Sequence, residues 1–352
     1  MKIGILTFHR AKNYGAILQC YALMCVLRSF GHEVEILDYR NGFLEGKYKI
    51  FSLNELKNRI GGIRSLARYL KKAPNRYIRS KKFDEFVSVN IPLSSSFSDA
   101  VTIPQSYDAY VIGSDQLWND SLTGTFDDVF LGEFPHPKNS KVVGYAISSN
   151  VVAIRKMGRQ KLENVVANFS KLSFREKTLS DLAREITGCQ VPVVVDPTLL
   201  TDYSVWEPLV NKKYADENYV LSYQIRGNAR EKAQLLKQAK ELGEKLNCKV
   251  IDVDYRKHDV YDFLSLLKYA KYVVTSSFHG TAFSIIFRKQ FACVKLNDKG
   301  DVRYLDLLRA LNLENLAYDL GQPIIPTQLD PHILEKNLLN LRNESIEFLR
   351  QI

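Results

Sequence analysis

The sequence predicts an α/β protein with two parallel-sheet domains that face each other across a cleft. Short apolar runs alternate with longer amphipathic segments along most of the chain, which is the pattern of βα units. The length of 352 residues favours two domains. Polar residues follow directly after several apolar runs, where the ligand-binding edge of a parallel sheet lies.

The first βα series begins at the N-terminus. Residues 2–8 predict a buried strand, Asn13 a helix N-cap, and residues 33–38 a second strand. Strand, helix and strand in this order form a right-handed βαβ unit, the start of a parallel sheet. Further strands of this sheet are predicted at 107–112 and 141–146.

The second series follows, and a C-terminal helix at 331–352 is expected to pack back on the body. The predicted domains are 1–160, with a basic insertion at about 45–100, and 161–330. Strands are predicted at 172–176, 191–196, 219–224, 249–253, 272–274 and 291–296, and helices at 159–168, 176–188, 229–246, 260–269, 282–287, 302–311 and 331–350.

Composition indicates a soluble globular protein, with 45% hydrophobic and 25% charged residues. No apolar window approaches the length of a membrane span, and the first residues turn polar too soon for a signal peptide. The five cysteines are scattered, and no pair has metal-ligand spacing. We therefore expect a reduced, cytoplasmic protein without a bound metal.

The positive charge is concentrated in one segment. Ten Lys and Arg residues lie between Lys57 and Lys82 with no Asp or Glu among them, which equals the net charge of +10. Apolar residues recur there at helical spacing, so a basic amphipathic helix, broken near Pro74, is predicted. It suits an anionic membrane surface, and a solvated helical insertion is the alternative. With only Tyr69 and Tyr77 available for stacking, we expect no specific nucleic-acid binding.

Two stretches carry candidate chemistry. After the apolar run 272–274 come Ser276, Ser277 and His279, then a helix-compatible pattern. A helix N-terminus there suits an anion, and His279 could donate to it or move a proton; a capping serine and a satisfied turn histidine are the alternative. Asp115 falls just past a strand end and is a general base or a helix cap. No Gly-x-Gly-x-x-Gly fingerprint is present, which argues against a dinucleotide cofactor.

Five segments occur in a fixed order along the chain: 13–19 (NYGAILQ), 112–119 (IGSDQLWN), 174–176 (FRE), 195–200 (VDPTLL) and 276–280 (SSFHG). Taken together, they resemble the polysaccharide pyruvyl transferase family. The resemblance covers nearly the whole chain except the basic insertion. It implies two Rossmann-like domains, as in GT-B glycosyltransferases, and transfer of the pyruvyl group of phosphoenolpyruvate onto a sugar, usually as a cyclic ketal, during assembly of bacterial cell-surface polysaccharide.

The resemblance also implies roles in donor binding and catalysis. Arg175 would clamp the phosphate or carboxylate of phosphoenolpyruvate, the alternative being an ion pair with Glu176. His279 would contact the phosphate or act as the acid, aided by the N–H groups that follow it, and Asp115 would be the base. The implied donor-binding set is Arg175, Ser276, Ser277, His279, Gly280, Thr281 and Arg303.

On the acceptor side, Asn13, Tyr14 and Gln116 would border the sugar, although Asn13 could simply cap its helix. The acceptor expected from the resemblance is an oligosaccharide linked to polyprenyl diphosphate, which fits docking at the inner face of the cell membrane. The reaction requires neither a redox cofactor nor a metal, so we expect none.

One position departs from the family pattern. Well-studied members have an arginine two residues before the histidine, where this chain has Ser277. A replacement cation would have to come from Arg226, Arg288 or Arg303. Two other functions therefore stay open: a GT-B-like glycosyltransferase that uses a nucleotide sugar, and a basic binding protein for membranes or nucleic acid.

Overall fold

The computed structural model describes residues 1–48 and 73–352. The first of its two sheets has five parallel strands in the order β2-β1-β3-β4-β5. Leu6 of β1 pairs with Ile112 of β3, so the strands end together at one carboxyl edge. The strands are β1 Lys2–Leu6, β2 Glu33–Ile36, β3 Ala109–Ile112, β4 Lys141–Ile147 and β5 Lys171–Phe174.

The second sheet also has five parallel strands, in the order β10-β9-β8-β6-β7. Two parallel sheets flanked by helices confirm the predicted α/β class and its GT-B-like arrangement. The edge strand β10 was not predicted, because three residues are too few to show a periodicity. The strands are β6 Tyr219–Tyr223, β7 Lys249–Asp252, β8 Tyr272–Thr275, β9 Gln290–Lys295 and β10 Ala317–Asp319.

Helices fill most of the connections, and side-chain caps start several of them. Asn13 caps the first helix as predicted, because its Oδ1 accepts from the N–H groups of Gly15 and Ala16 at 2.9 and 3.3 Å. The helices are α1 Tyr14–Ser29, α2 Gly42–Tyr48, α3 Ala73–Asn90, α4 Asp120–Thr123, α5 Val151–Ala167, α6 Lys177–Thr187, α7 Pro197–Leu200, α8 Tyr203–Trp206, α9 Ala229–Lys245, α10 Val260–Tyr269, α11 Phe278–Ile286, α12 Val302–Ala310 and α13 Pro331–Arg350.

Two local features differ from the prediction. Helix α5 consists of two helical segments that meet at a kink, because Gly158 has a non-helical backbone with φ 75° and ψ 168°. The predicted helix 159–168 corresponds to the second segment, and the first segment, which Asn150 caps, was not predicted. Residues 191–196 form no strand of either sheet. They run extended beside β5 and make one bridge, in which Phe174 N–H donates to Pro192 O and Val194 N–H donates to Phe174 O, each at 2.9 Å.

Strand β5 lies in the first sheet, where it pairs in parallel with β4. The predicted boundary at 160/161 placed this strand in the second domain, and that assignment is wrong. The pattern of a four-residue apolar run shows that a strand exists, but its partner is decided by long-range packing. Consequently Arg175, which follows β5, extends from the first sheet and not from the second.

The C-terminal helix α13 packs against the segment between the two sheets. Val195 N–H donates to Ser345 Oγ at 3.0 Å, and the Arg342 guanidinium donates to Thr201 O at 3.0 Å. The Phe348 ring lies 6.0 Å from the ring of Tyr145 in β4. Helix α13 therefore connects the end of the second domain to the first sheet.

Part of the basic segment lies outside the described residues. Of Lys57–Lys82, the structure describes residues 73–82, which belong to α3, with Pro74 in its first turn. The predicted break near Pro74 and the helix before it cannot be compared with the structure for that reason. Within residues 1–48 and 73–352, no helix is long and apolar enough to cross a membrane.

Tyr14 of α1 is a core residue between the two domains. Its ring is stacked on Phe263 at 4.3 Å and on Tyr255 at 4.7 Å, and its hydroxyl donates to His258 O at 2.7 Å. All three partners belong to the second domain. Burial raises the pKa of the Tyr14 phenol well above its ordinary value. Tyr14 therefore packs the domains together.

Replacing Tyr14 with Phe removes one buried hydrogen bond and leaves the aromatic stack in place. We expect the free energy of unfolding to fall by about 1 kcal/mol, with kinetics toward any acceptor unchanged. Urea denaturation measures the free energy of unfolding, and steady-state assays measure the kinetics toward the acceptor. A raised acceptor KM with unaltered stability would instead place the hydroxyl in the acceptor site.

Candidate active site

Loops from the carboxyl edges of both sheets converge at one place. Asp115 follows β3, and Arg175 follows β5 of the first sheet. Arg226 follows β6, and His279 lies in the first turn of α11 after β8 of the second sheet. Because the carboxyl edge of a parallel sheet is where ligands bind in such folds, this meeting point is the candidate site.

Arg175 is the most enclosed of these residues, with 2% of its side chain exposed. Its Nε donates to Glu176 at 3.0 Å, and its two terminal nitrogens donate to Asp196 Oδ2 at 2.7 Å and to Ser148 Oγ at 3.0 Å. The guanidinium also lies 4.4 Å from the centroid of the Phe278 ring. The bidentate clamp expected of Arg175 is not the observed arrangement, because its donors are directed to protein acceptors.

Asp196 connects this arginine to His279. Its Oδ1 accepts from the N–H and hydroxyl of Thr198, and its Oδ2 lies 3.6 Å from His279 Nε2. Burial alone would raise the pKa of Asp196, but His279, Arg175 and the Thr198 N–H outweigh it and hold the pKa of the carboxyl well below its usual range. Asp196 is thus a buried, ionised carboxylate between the two sheets.

Glu176 is a second buried carboxylate, and one of its oxygens is unsatisfied. Oε1 accepts from Ser148 Oγ at 2.8 Å and from Arg175, while Oε2 is buried without a hydrogen-bond partner among the described residues. Burial raises the pKa of Glu176, and Arg175 and Ser148 only partly offset that effect.

Arg226 fixes the loop that faces the site from the second domain. One terminal nitrogen donates to Ser276 O at 2.9 Å and to Asp301 Oδ1 at 2.8 Å, and the other pairs with Asp298. A Cβ at Gly300 would lie 2.1 Å from the end of this side chain, so a larger residue there would displace the guanidinium. Most of the charge of Arg226 is neutralised by Asp298 and Asp301, which follow β9.

Arg303 differs from the other two arginines. Its Nε is buried and has no hydrogen-bond partner among the described residues. Burial and the neighbouring charges of Arg175 and Arg226 lower the pKa of Arg303 to about 10, while Asp115 and Glu176 act in the opposite direction. An anion placed beside Arg303 would satisfy the free donor and relieve the repulsion between the guanidinium groups.

Arg303 and Arg226 face an open cavity of about 500 Å³ between the two domains. Amide side chains that follow β3 and β4 form the opposite wall. A smaller cavity of about 160 Å³, with largely apolar walls, lies on the other side of Arg303. The wider cavity is lined by Gln116, Asn119, Asn150, Arg226, Asn297, Asp298, Lys299, Gly300 and Arg303.

Asp115 lies beside this cavity, and 14% of its side chain is exposed. Its backbone has a φ of 84°, a conformation that residues other than glycine rarely adopt. Its Oδ1 accepts from Gln116 N–H at 2.8 Å and lies 3.9 Å from the Arg175 guanidinium. A strained backbone that presents a carboxylate to a cleft is typical of a functional position.

The turn before α11 uses its polar groups internally. Ser277 Oγ accepts from Gly280 N–H at 3.4 Å, and Ser277 O accepts from Thr281 N–H at 3.0 Å, so these N–H groups do not face an anion as expected. Thr281 Oγ1 contacts Cys293 Sγ at 3.1 Å in the core. Ser276 Oγ is buried and has no hydrogen-bond partner in the described part of the chain.

The structure separates the three residues predicted to border the acceptor. Tyr14 is buried between the domains, and Asn13 caps α1 with its side-chain oxygen. Gln116 alone of the three lines the cavity, where its Oε1 accepts from Asn119 Nδ2 at 3.0 Å. The acceptor role remains a prediction for Gln116 and loses its geometric basis for Tyr14.

The sequence interpretation missed several residues of the site. Asn119, Asn150 and Asp301 were not among the residues predicted from the sequence. Asn150 and Asp301 follow strands, so the rule that ligand-binding residues follow parallel strands could have found them. Of the three candidate replacement cations, Arg288 lies elsewhere, paired with Glu335 of α13 at 3.0 Å. Within the described residues no cluster of three or more His, Cys, Asp or Glu could hold a metal ion, and the absence of a bound metal stays a prediction.

Solved structures with a similar chain path are sugar-nucleotide enzymes. The UDP-GlcNAc 2-epimerase of Methanocaldococcus jannaschii is 12% identical with a TM-score of 0.47, over 97% of this chain and 93% of that one. The corresponding enzyme of Neisseria meningitidis is 8% identical with a TM-score of 0.46, over all of both chains. The E. coli heptosyltransferase WaaC is 11% identical with a TM-score of 0.35, over 99% of each chain. Such distant similarity bears on neither substrate nor mechanism.

No curated protein sequence matches this chain significantly. The family model of the polysaccharide pyruvyl transferases, in contrast, matches residues 13–298. That range contains Asp115, Arg175, Asp196, Arg226 and His279, which the fold brings together at the carboxyl edges of the two sheets. The chain belongs to the polysaccharide pyruvyl transferase family.

Proposed function

We propose that the protein transfers the pyruvyl group of phosphoenolpyruvate onto a sugar as a cyclic ketal, in the assembly of a bacterial cell-surface polysaccharide. The observation that carries the proposal is Arg303, a half-buried arginine whose buried Nε is unpaired among the described residues, beside Arg175 and Arg226. Phosphoenolpyruvate has a phosphate and a carboxylate, so it needs such a cationic site.

The donor fits the second-domain side of the wide cavity. Arg303 supplies the free cation there, and Arg226 adds a second guanidinium that is held by Asp298 and Asp301. The small cavity behind Arg303 suits the charged donor less well, because its walls are largely apolar. In this arrangement Arg303 compensates for Ser277, where an arginine would otherwise provide the cation.

The reaction needs one acid and one base. A proton delivered to the methylene carbon C3 makes C2 electrophilic, and a sugar hydroxyl attacks C2 while its proton passes to the base. Phosphate then leaves with the C2–O bond electrons. A second hydroxyl adds to C2 to close the ketal, and its proton passes to the acid, which has already given its own proton to C3. We assign the acid to His279, whose Nε2 lies 3.6 Å from Asp196 Oδ2, and the base to Asp115.

The acceptor sugar fits the amide wall of the same cavity. Gln116, Asn119 and Asn150 present groups that hydrogen-bond to hydroxyls, and Asp115 precedes Gln116 in the same loop. We propose a polyprenyl-diphosphate-linked oligosaccharide as acceptor, with the basic segment Lys57–Lys82 docking on the inner membrane surface. No cofactor is required.

Replacing Arg303 with Ala should weaken phosphoenolpyruvate binding roughly tenfold to a hundredfold, because a hydrogen bond to a charged group contributes about 1.5–3 kcal/mol. Thermal stability should not fall, since the removed charge is desolvated and lacks a hydrogen-bond partner at Nε. Calorimetric titration with phosphoenolpyruvate measures the affinity of Arg303→Ala. Arg288→Ala is the control, because Arg288 is an exposed arginine outside the site.

Two outcomes of that titration contradict the donor assignment. One is equal affinity in wild type and Arg303→Ala. The other is no response of the wild type to millimolar phosphoenolpyruvate together with tight binding of a nucleotide sugar, which would favour the glycosyltransferase-like alternative on the same scaffold.

Replacing Asp115 with Asn keeps the size of the side chain and removes the base. We expect kcat to fall by about 10²–10⁴-fold with unchanged donor affinity, because general bases contribute in that range. Phosphate release with a sugar acceptor measures kcat. Should Asp115→Asn keep full turnover, the base must be another group.

Reversing Lys57, Arg59, Arg64 and Arg68 to Glu should abolish binding to vesicles that contain anionic lipid, because each basic residue near such a surface contributes about 1 kcal/mol. The matched control reverses Lys232, Lys237, Lys240 and Lys245, four exposed lysines of α9, and should leave binding intact. Co-sedimentation with vesicles measures the binding of each variant, and equal binding by both variants would refute docking through this segment.

A further inference from the structure

The imidazole of His279 is held between the two domains. His279 belongs to α11, yet its ring lies against the first turn of α1 in the other domain. Its side chain is 6% exposed, and its Nε2 lies 3.6 Å from Asp196 Oδ2, just beyond hydrogen-bond length. The position of the ring is therefore set by groups outside its own helix.

Gly15 is the group on one side of the ring. A Cβ at this position would lie 1.9 Å from His279 Nδ1 and 2.3 Å from Cγ, closer than any real contact. Gly15 does not have the positive φ that would require glycine, and alanine is the better helix former. The imidazole occupies the space that a Cβ would need, and this steric conflict explains the glycine in the first turn of α1.

Asp196 is the group on the other side, and its orientation is fixed. Thr198 holds Oδ1 with two hydrogen bonds at 3.0 and 2.8 Å, and Arg175 holds Oδ2 at 2.7 Å. With 0% of its side chain exposed, the carboxylate can turn neither to solvent nor to another partner. The oxygen that faces His279 is also the oxygen that accepts from Arg175.

We infer that Asp196 and Gly15 are positioning residues for His279: the carboxylate orients Nε2, and the glycine admits the ring to the seam between the domains. The kinetic readout of this inference rests on the proposed function, because it takes His279 as the acid of the reaction. The gap of 3.6 Å leaves the buried Nε2 without a hydrogen-bond partner among the described residues, and Asp196 Oδ2 is the carboxylate oxygen that faces it.

The first arm of the test needs no substrate. In protein with ¹³C-labelled histidine, His279→Gln identifies the His279 resonance among those of the six histidines. Asp196→Asn should shift the ring resonances of His279, because it replaces the carboxylate oxygen that lies 3.6 Å from Nε2 by part of a neutral amide. Unchanged resonances overturn the role of Asp196.

The second arm uses a matched pair of glycines. Gly15→Ala should shift the His279 resonance and lower kcat about a hundredfold with a donor KM within threefold of wild type, because a small displacement of a reacting group suffices for that loss. Gly46→Ala places the new methyl group in open space on α2 and should change neither. Far-ultraviolet circular dichroism verifies that both variants fold.

The outcomes of the two arms separate this inference from the proposed function. A resonance that shifts in Gly15→Ala and Asp196→Asn, in a protein that does not turn over phosphoenolpyruvate, supports the positioning and refutes the donor. Normal turnover with an unshifted His279 resonance in Gly15→Ala refutes the positioning and leaves the donor intact. A raised KM with unchanged kcat in Asp196→Asn would mean that the carboxylate supports binding instead of His279.

Discussion

The candidate site depends on one buried network, centred on the guanidinium of Arg175. Burying a guanidinium is unfavourable unless its charge and its donors are satisfied, and here Glu176, Asp196 and Ser148 satisfy it. Removing one partner from such a network typically costs about 3–5 kcal/mol. Because Ser148 and Glu176 follow strands of the first sheet while Asp196 reaches His279 of the second domain, this network orders both halves of the site at once.

The three arginines of the site divide into two kinds. Arg175 and Arg226 are neutralised by carboxylates of the protein, and their hydrogen bonds hold loops in place. Arg303 has an unpaired Nε–H donor. Its pKa is lowered by burial of the side chain and by the nearby charges of Arg175 and Arg226. The positive electrostatic potential of the three arginines therefore extends into the cavity beside Arg303, where a ligand with two anionic groups would complement it.

The sequence predicted those parts of the site that depend on local pattern. The positions of Asp115, Arg175 and His279 after apolar runs were enough to place them at a sheet edge, and Asn13 was recognisable as a cap. Contacts over long separations could not be predicted. Tyr14 donates to a carbonyl 244 positions away, and Arg226 binds carboxylates 72 and 75 positions away. The same limit assigned β5 to the wrong sheet, because strand pairing is a property of the folded chain.

The most direct test of the central claim is a crystal structure of the protein with phosphoenolpyruvate. The account predicts the phosphate or the carboxylate of the donor within hydrogen-bond distance of Arg303 Nε, in the cavity shared with Gln116 and Arg226. A donor bound away from Arg303, with that guanidinium still lacking an anionic partner, would contradict the account.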